Sequence, residues 1–241
     1  MQLVITLASD NRITLPIASN AVVQGLIYNA LRGDSAFSYN LHEKGKEASG
    51  RNYKLFNFSE IKGRYDIEGK TIIYSSPISI TIRSAQDYVI QLLMTNFTVG
   101  KELMLHNNFV RVTDVRLSND TIYSECVRIK TLSPITVYIT EDNGHTVYYS
   151  PKDREFCEGI VRNARRKYTA HFGSDEGFSL EVTPCEHARF IKRATRFKDT
   201  FITAWHGEFV LKGSAKTLNF LYNTGLGSKN SQGFGMFSVI E

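Results

Sequence analysis

Gly225-Leu226-Gly227-Ser228-Lys229-Asn230-Ser231-Gln232-Gly233-Phe234-Gly235 sets four glycines and one lysine among small polar residues, between a helical pattern over Ala215–Tyr222 and a closing apolar strand, Met236–Ile240, itself part of the stretch Phe234–Ile240 that reads as extended. Glycine tolerates positive φ and close backbone approach, so several in a short span let successive N–H groups converge on one anion, for which a phosphate is the natural guest. Two familiar glycine-rich motifs do not fit. The P-loop needs four residues between its glycine and a Gly-Lys-Ser/Thr triplet, and the chain's one such triplet, Gly69-Lys70-Thr71, follows Gly63 at the wrong spacing and runs into a strand. The dinucleotide fingerprint needs a following helix and crossover strand, and few residues remain after Gly235. A nucleic-acid backbone fits the loop better.

Outward from that loop, periodicity sorts the chain into alternating strands and helices. Gln2–Leu7 reads as a strand, and Asn20 opens a helix over Ala21–Leu31 with Val23, Leu26, Ile27, Ala30 and Leu31 at helical spacing. The polar stretch Gly33–Asn52 reads as a loop, followed by strands at Tyr53–Phe58, Thr71–Tyr74 and Ile78–Ile82, a helix at Ala85–Phe97, and strands at Leu103–Leu105 and Phe109–Val115. The first half is thus β-α-β-β-α-β with extra strand material. In the second half Ile135–Ile139 and Thr146–Ser150 flank the turn signal Asp142-Asn143-Gly144, Lys152–His171 is a long helix, and Phe178–Val182, Ala188–Ala194 and Phe201–Leu211 read as strands. The expected fold is α+β: two tandem ferredoxin-like domains, residues 1–118 and 119–241, joined near Leu117–Thr121.

Composition narrows the function classes. The 241 residues are 42% hydrophobic, enough for real cores, and the formal net charge of +5 favours an anionic partner. Cys126, Cys157 and Cys185 are odd in number and widely spaced, with no Cys-x-x-Cys and no paired histidines at zinc-finger spacing, which suggests neither a disulfide framework nor a zinc site and fits a reducing cytoplasm. Met1–Leu7 lacks a basic leader and reads as a strand, and no apolar run reaches the roughly 18 residues of a membrane span. Asp87, Glu125, Asp153 and Glu155 show no spacing that demands a two-metal nuclease, so neither metal nor cofactor is expected.

Three further segments carry a resemblance. Gln24-Gly25-Leu26-Ile27-Tyr28-Asn29-Ala30-Leu31, then Leu41-His42-Glu43, then Lys54-Leu55-Phe56-Asn57-Phe58-Ser59 resemble the repeat-cleaving CRISPR endoribonucleases, Cas family six of the RAMP superfamily. Thr203-Ala204-Trp205-His206 and Gly225–Gly235 look like that family's second-domain strand and C-terminal glycine loop. The pieces occur in the family's order across nearly the whole chain. The resemblance implies tandem ferredoxin-like domains and single-site cleavage of precursor CRISPR RNA. It also implies delivery of the guide to a Cascade-type effector complex, and it admits a homodimer. At matching positions it implies a catalytic set of Tyr28, His42 and Lys54, with Lys44, Lys46 and Arg51 competing with Lys54 for the phosphate.

That set suits metal-independent RNA cleavage. When a ribose 2′-OH attacks the adjacent phosphorus, a base must take its proton, an acid must protonate the leaving 5′-oxygen, and a cation must stabilise the phosphorane. Histidine titrates near ~6.5 and can exchange protons around neutrality; lysine supplies the charge, and tyrosine can share the proton work or orient the phosphate. The RNA-binding residues expected beside them are Gly225, Gly227, Lys229, Gly233 and Gly235 of the loop, with Arg189, Lys192 and Arg193 interleaved with aromatics. The cluster Arg162, Arg165, Arg166 and Lys167 competes with the latter three, although a helix face of cations is ordinarily just solvated. His206, beside Trp205 on an apolar strand, reads as structural. The alternative to the enzyme is a catalytically silent subunit that holds guide RNA with the same fold.

Overall fold

The computed structural model describes residues 1–32, 46–48, 51–197 and 200–240, with 46–48, 51 and 52 described by their backbone alone. The first half is built on β1 (Gln2–Ala8), α1 (Asn20–Leu31), β2 (Phe56–Phe58), β3 (Ile78–Ser84), α2 (Asp87–Asn96) and β4 (Asn108–Ser118). Alternation along β1 sends Leu3, Ile5 and Leu7 to one face of the sheet, where they are fully buried. That face is covered by Val23, Leu26, Ile27 and Leu31 of α1 and by Val89, Ile90 and Leu93 of α2. The antiparallel order is β2-β3-β1-β4, extended at the β4 edge by Glu102–Leu105.

The second half repeats the arrangement with β5 (Cys126–Thr131), α3 (Arg154–Phe172), β6 (Leu180–Pro184), β7 (Glu208–Gly213), α4 (Ala215–Thr224) and β8 (Phe237–Val239), in the order β6-β7-β5-β8. Both sheets therefore read 2-3-1-4 with one helix after the first strand and one after the third, the ferredoxin-like β-α-β-β-α-β unit in tandem. Phe156, Ile160, Ala164 and Tyr168, each four residues apart on α3, make the stripe that packs on Phe209 and Leu211 of β7. Among the described residues no helix is long and apolar enough to cross a membrane.

The structure differs from the sequence reading in three places. The stretch expected as one strand over Phe201–Leu211 is two, Thr200–His206 and β7, separated at Gly207, where a side chain would overlap the ring of Phe190. The first of these pairs with Ile191–Phe197 in a separate hairpin, and only the second enters the sheet. β5 went unread because its alternation offers just Val127 and Ile129, alternating with Arg128 and Lys130, although those two are buried in the interior of the sheet. Ile13–Pro16, Thr71–Tyr74 and Tyr65–Glu68 form a three-stranded annex beside α1.

The two units are joined through buried polar groups. Arg83 of β3 is 2% exposed; its Nε donates to Gln2 Oε1 at 2.7 Å, Nη1 to Phe237 O at 2.6 Å and Nη2 to the Tyr222 hydroxyl at 2.8 Å, while its guanidinium stacks 3.5 Å from the Tyr222 ring centroid. Tyr222 Oη in turn donates to Asp120 Oδ2 at 3.0 Å. Burial pulls the Arg83 pKa down to about 10, so it stays charged at neutrality. Leu55, immediately before β2, plugs the second unit's core while Phe56 and Phe58 fill the first; it adopts φ 50°, an uncommon region for a branched side chain. Arg83→Ala removes the guanidinium that the Phe237 carbonyl and the Tyr222 hydroxyl accept from in the seam. We expect it to lower unfolding stability by about 3 kcal/mol, read as a lower urea midpoint at unchanged slope.

Candidate active site

Helix α1 ends near the start of β2, and this brings Tyr28 and Lys54 together. Tyr28 packs edge-on against Phe56 with ring centroids 5.9 Å apart, and Lys54 Nζ lies 5.6 Å from the centre of the Tyr28 ring. A short hairpin, Lys46–Ala48 paired with Arg51–Tyr53, delivers the chain into Lys54. The turned backbone at Leu55 lets the leucine go into the core while Lys54 faces an open groove. Burial pushes the Tyr28 phenol up to about 12, so at neutral pH it is a hydrogen-bond donor and not a phenolate base. His42 and Lys44 lie outside the described residues, and Lys46 and Arg51 are placed by backbone on the hairpin.

The groove holds about 490 Å³ and has walls from both units: Lys54 and Phe56 on one side, Tyr138, Asn163, Lys229 and Gln232 on the other. Lys229 Nζ sits 5.1 Å from the Tyr138 ring centroid, a second cation on the same groove. A neighbouring depression continues past Asn163 and Ser228 to Arg162 and Arg166. The first basic cluster thus divides: these two reach the depression, Arg165 pairs with Asp175 at 2.8 Å, and Lys167 is buried.

Lys167 holds the glycine loop. Its Nζ donates to Gly225 O and, at 2.8 Å, to Asn230 Oδ1, while Asn230 Nδ2 donates to Leu226 O at 2.8 Å and Phe234 O at 3.0 Å. From the other unit Gln24 Nε2 donates to Ser231 O at 2.6 Å and Asn20 Nδ2 to Gln232 O at 2.8 Å. The loop is therefore strapped to α1 on one side and α3 on the other. Its glycines face protein: a Cβ on Gly235 would overlap the Leu226 carbonyl, and one on Gly233 the Phe58 ring, both at φ near 80°. Ser228, Lys229, Asn230, Ser231 and Gln232 are the loop residues that line the groove. Nothing in the local pattern of α3 singled out Lys167, because its role is to meet carbonyls distant in sequence.

The second basic cluster also divides. On the hairpin Ile191–Phe197/Thr200–His206, Arg193 lies opposite buried Ala204, whereas Lys192 and Arg196 share the other face with Phe201, which is 74% exposed and has Arg196 above its ring at 5.7 Å. Arg189 lies exposed in the segment before the hairpin. His206 has the structural setting expected of it: Nδ1 is 3.0 Å from Thr131 Oγ1 and Nε2 is 3.3 Å from Glu60 Oε2, a tie between the units. Among the described residues no three His, Cys, Asp or Glu side chains are grouped as metal ligands.

Comparison with known proteins points one way. Residues 117–239 match the family described as CRISPR associated protein Cas6, C-terminal. The whole chain is 27% identical to 93% of CRISPR-associated endoribonuclease Cas6 1 of Methanocaldococcus jannaschii, and 95% of it is 26% identical to 85% of CRISPR-associated endoribonuclease Cas6 of Pyrococcus furiosus. Among solved structures, one described as a Cas6-related gene product of Pyrococcus furiosus superposes over the whole chain and 98% of its own with a TM-score of 0.86 at 21% identity. Another, described as a RAMP protein binding different RNA substrates, covers all of both chains with a TM-score of 0.85 at 22% identity. These structural likenesses carry the fold.

Two substitutions test the loop. Gly235→Val meets both a forbidden φ and the Leu226 carbonyl, and we expect a loss of about 3 kcal/mol or more in urea unfolding. For Lys167, burial lowers the pKa to about 7, whereas the unfolded chain keeps the ordinary lysine value of about 10.4. Between those values the unfolded state binds the extra proton, so stability should rise with pH from about 7 to about 10.4 and be flat below. Urea midpoints across that range should show the rise in wild type and its loss in Lys167→Met.

Proposed function

We propose, from the premise that this chain belongs to the CRISPR-associated Cas6 family, that it is an endoribonuclease cutting precursor CRISPR RNA within the repeat to make guide RNA. The observation that supports this most is the meeting of Tyr28 with Lys54, which lines a groove whose opposite wall carries Lys229. In the reaction the 2′-oxygen forms a bond to phosphorus as the bond to the 5′-oxygen breaks, giving a 2′,3′-cyclic phosphate and a 5′-OH. His42 moves the proton, Lys54 stabilises the phosphorane, and Tyr28, held protonated, donates a hydrogen bond to a phosphate oxygen. The chemistry needs no metal. The RNA backbone runs along the glycine loop past Lys229 toward Arg162 and Arg166, with Arg189 and Lys192 serving a more distant segment. Effector-complex subunits, and a second copy of the chain, are the protein partners this role admits.

Incubation with the repeat RNA of its own genome in excess EDTA, followed by end-group analysis, tests the reading. Cleavage should persist and should stop when the nucleotide before the scissile phosphate carries a 2′-deoxy sugar; cutting of the deoxy substrate would sink the mechanism. His42→Ala should slow single-turnover cleavage about 10²–10⁴-fold with the dissociation constant almost unchanged. Lys54→Ala should slow it too, with a larger effect on binding, because a cation also contacts the ground-state phosphate. Binding by wild type without cutting would mark the chain as an RNA-holding subunit.

Neutralising Arg162 and Arg166 together should flatten the salt dependence of RNA affinity by a slope of about 1–2. An unchanged slope would move the RNA path elsewhere.

A further inference from the structure

A second recess lies on the far side of the glycine loop from the groove. It holds about 180 Å³ and is walled by the annex rings Tyr65 and Tyr74, by Phe58 and Phe234, and by Arg193 of the hairpin, with Glu60 at its edge. Tyr65 and Tyr74 sit edge to face at 5.6 Å, and Tyr65, on the outer strand of the annex, remains 50% exposed. The Glu60 carboxylate is fixed by His206 at 3.3 Å; burial, with the Glu60 charge nearby adding to it, pushes the Tyr74 phenol up to about 12. Arg193 makes no ion pair among the described residues.

These parts have the character of a base-recognition site. A flat aromatic ring offers stacking to one splayed base, a fixed carboxylate accepts from an exocyclic amino group, and a free guanidinium holds the phosphate beside it. The volume suits one base and not a stacked run. Asn20, at one end of α1, borders this recess, and its Nδ2 donates to the carbonyl of Gln232, which lines the groove, so one strand crossing the loop can occupy both.

We propose that this recess receives one unstacked base of the substrate RNA outside the scissile dinucleotide, stacked on Tyr65 with Arg193 at its phosphate, and selects an amino-bearing base over uracil through Glu60. The inference rests on the reading of the chain as an RNA-cleaving enzyme. It makes Tyr65, Arg193 and Glu60 specificity residues that take no part in the chemistry.

The test is a set of repeat RNAs, each with a single abasic nucleotide, assayed for binding and single-turnover cleavage with wild type, Tyr65→Ala and Arg193→Ala. At one position outside the scissile dinucleotide the abasic site should weaken wild-type binding about tenfold. Tyr65→Ala should bind intact RNA about tenfold more weakly and be indifferent to base removal there, and Arg193→Ala, on a separate element, should lower affinity for the same RNA. With uracil at that position, Glu60→Gln should narrow the gap between uracil and the native base. If wild type cuts the repeat and the Tyr65→Ala profile parallels it at every position, the recess binds no base and the inference falls alone. If wild type neither binds nor cuts repeat RNA, the reading beneath it falls as well.

Discussion

The structure depends on a loop that has no room for side chains. Gly225, Gly227, Gly233 and Gly235 each bring an α-carbon against protein atoms of the seam, and the space a Cβ would need is held by Leu226, Thr136, Asn57 or Phe58. Asn230 braces the loop from within and the buried ammonium of Lys167 ties it to α3, while Asn20 and Gln24 tie it to α1. Removing a lysine from water is costly, and two well-placed acceptors offset part of that cost. The result is a rigid ledge set between the helices of both units, with Ser228, Lys229, Ser231 and Gln232 on its open side.

The groove exists only because the two units meet. Lys54 and Phe56 come from the first, and Tyr138, Asn163 and Lys229 from the second. Arg83, the His206–Glu60 pair and Leu55 fix their relation from three directions. Leu55 has a double role, since its left-handed backbone both plugs the second core and aims its neighbour Lys54 outward. Residues in such sparsely populated conformations cost energy and persist where the surroundings over-determine them.

Net charge by itself is a poor guide to where an anion binds. The strand that carries Lys192, Arg193 and Arg196 sends alternate side chains to opposite faces, so a run that looks continuous in sequence splits between an open basic and aromatic face and the recess beside Glu60. The helix that carries Arg162, Arg165, Arg166 and Lys167 splits by its 3.6-residue period into depression, ion pair and core.

Local pattern by itself determined much of this protein. The stripes of α1, α2, α3 and α4, the alternation of β1 and β3, and the turn at Asn143-Gly144 are short-range consequences of helical and strand periods, and with family motifs they made the tandem ferredoxin-like fold legible in advance; that Tyr28 lies beside Lys54 is a finding of the structure. The glycines announced a close approach but not to what, because φ preference is a property of the residue whereas its neighbour is set by packing. Tertiary structure decided that the close approach is internal, that Lys167 is a buried strut and not a phosphate contact, that Gly207 ends one strand and starts another, and that β5 lies in the interior of its sheet. Lys167 meets Gly225 58 positions away, β5 pairs with strands more distant still, and Gly207 meets the ring of Phe190, and such contacts leave no mark on local spacing.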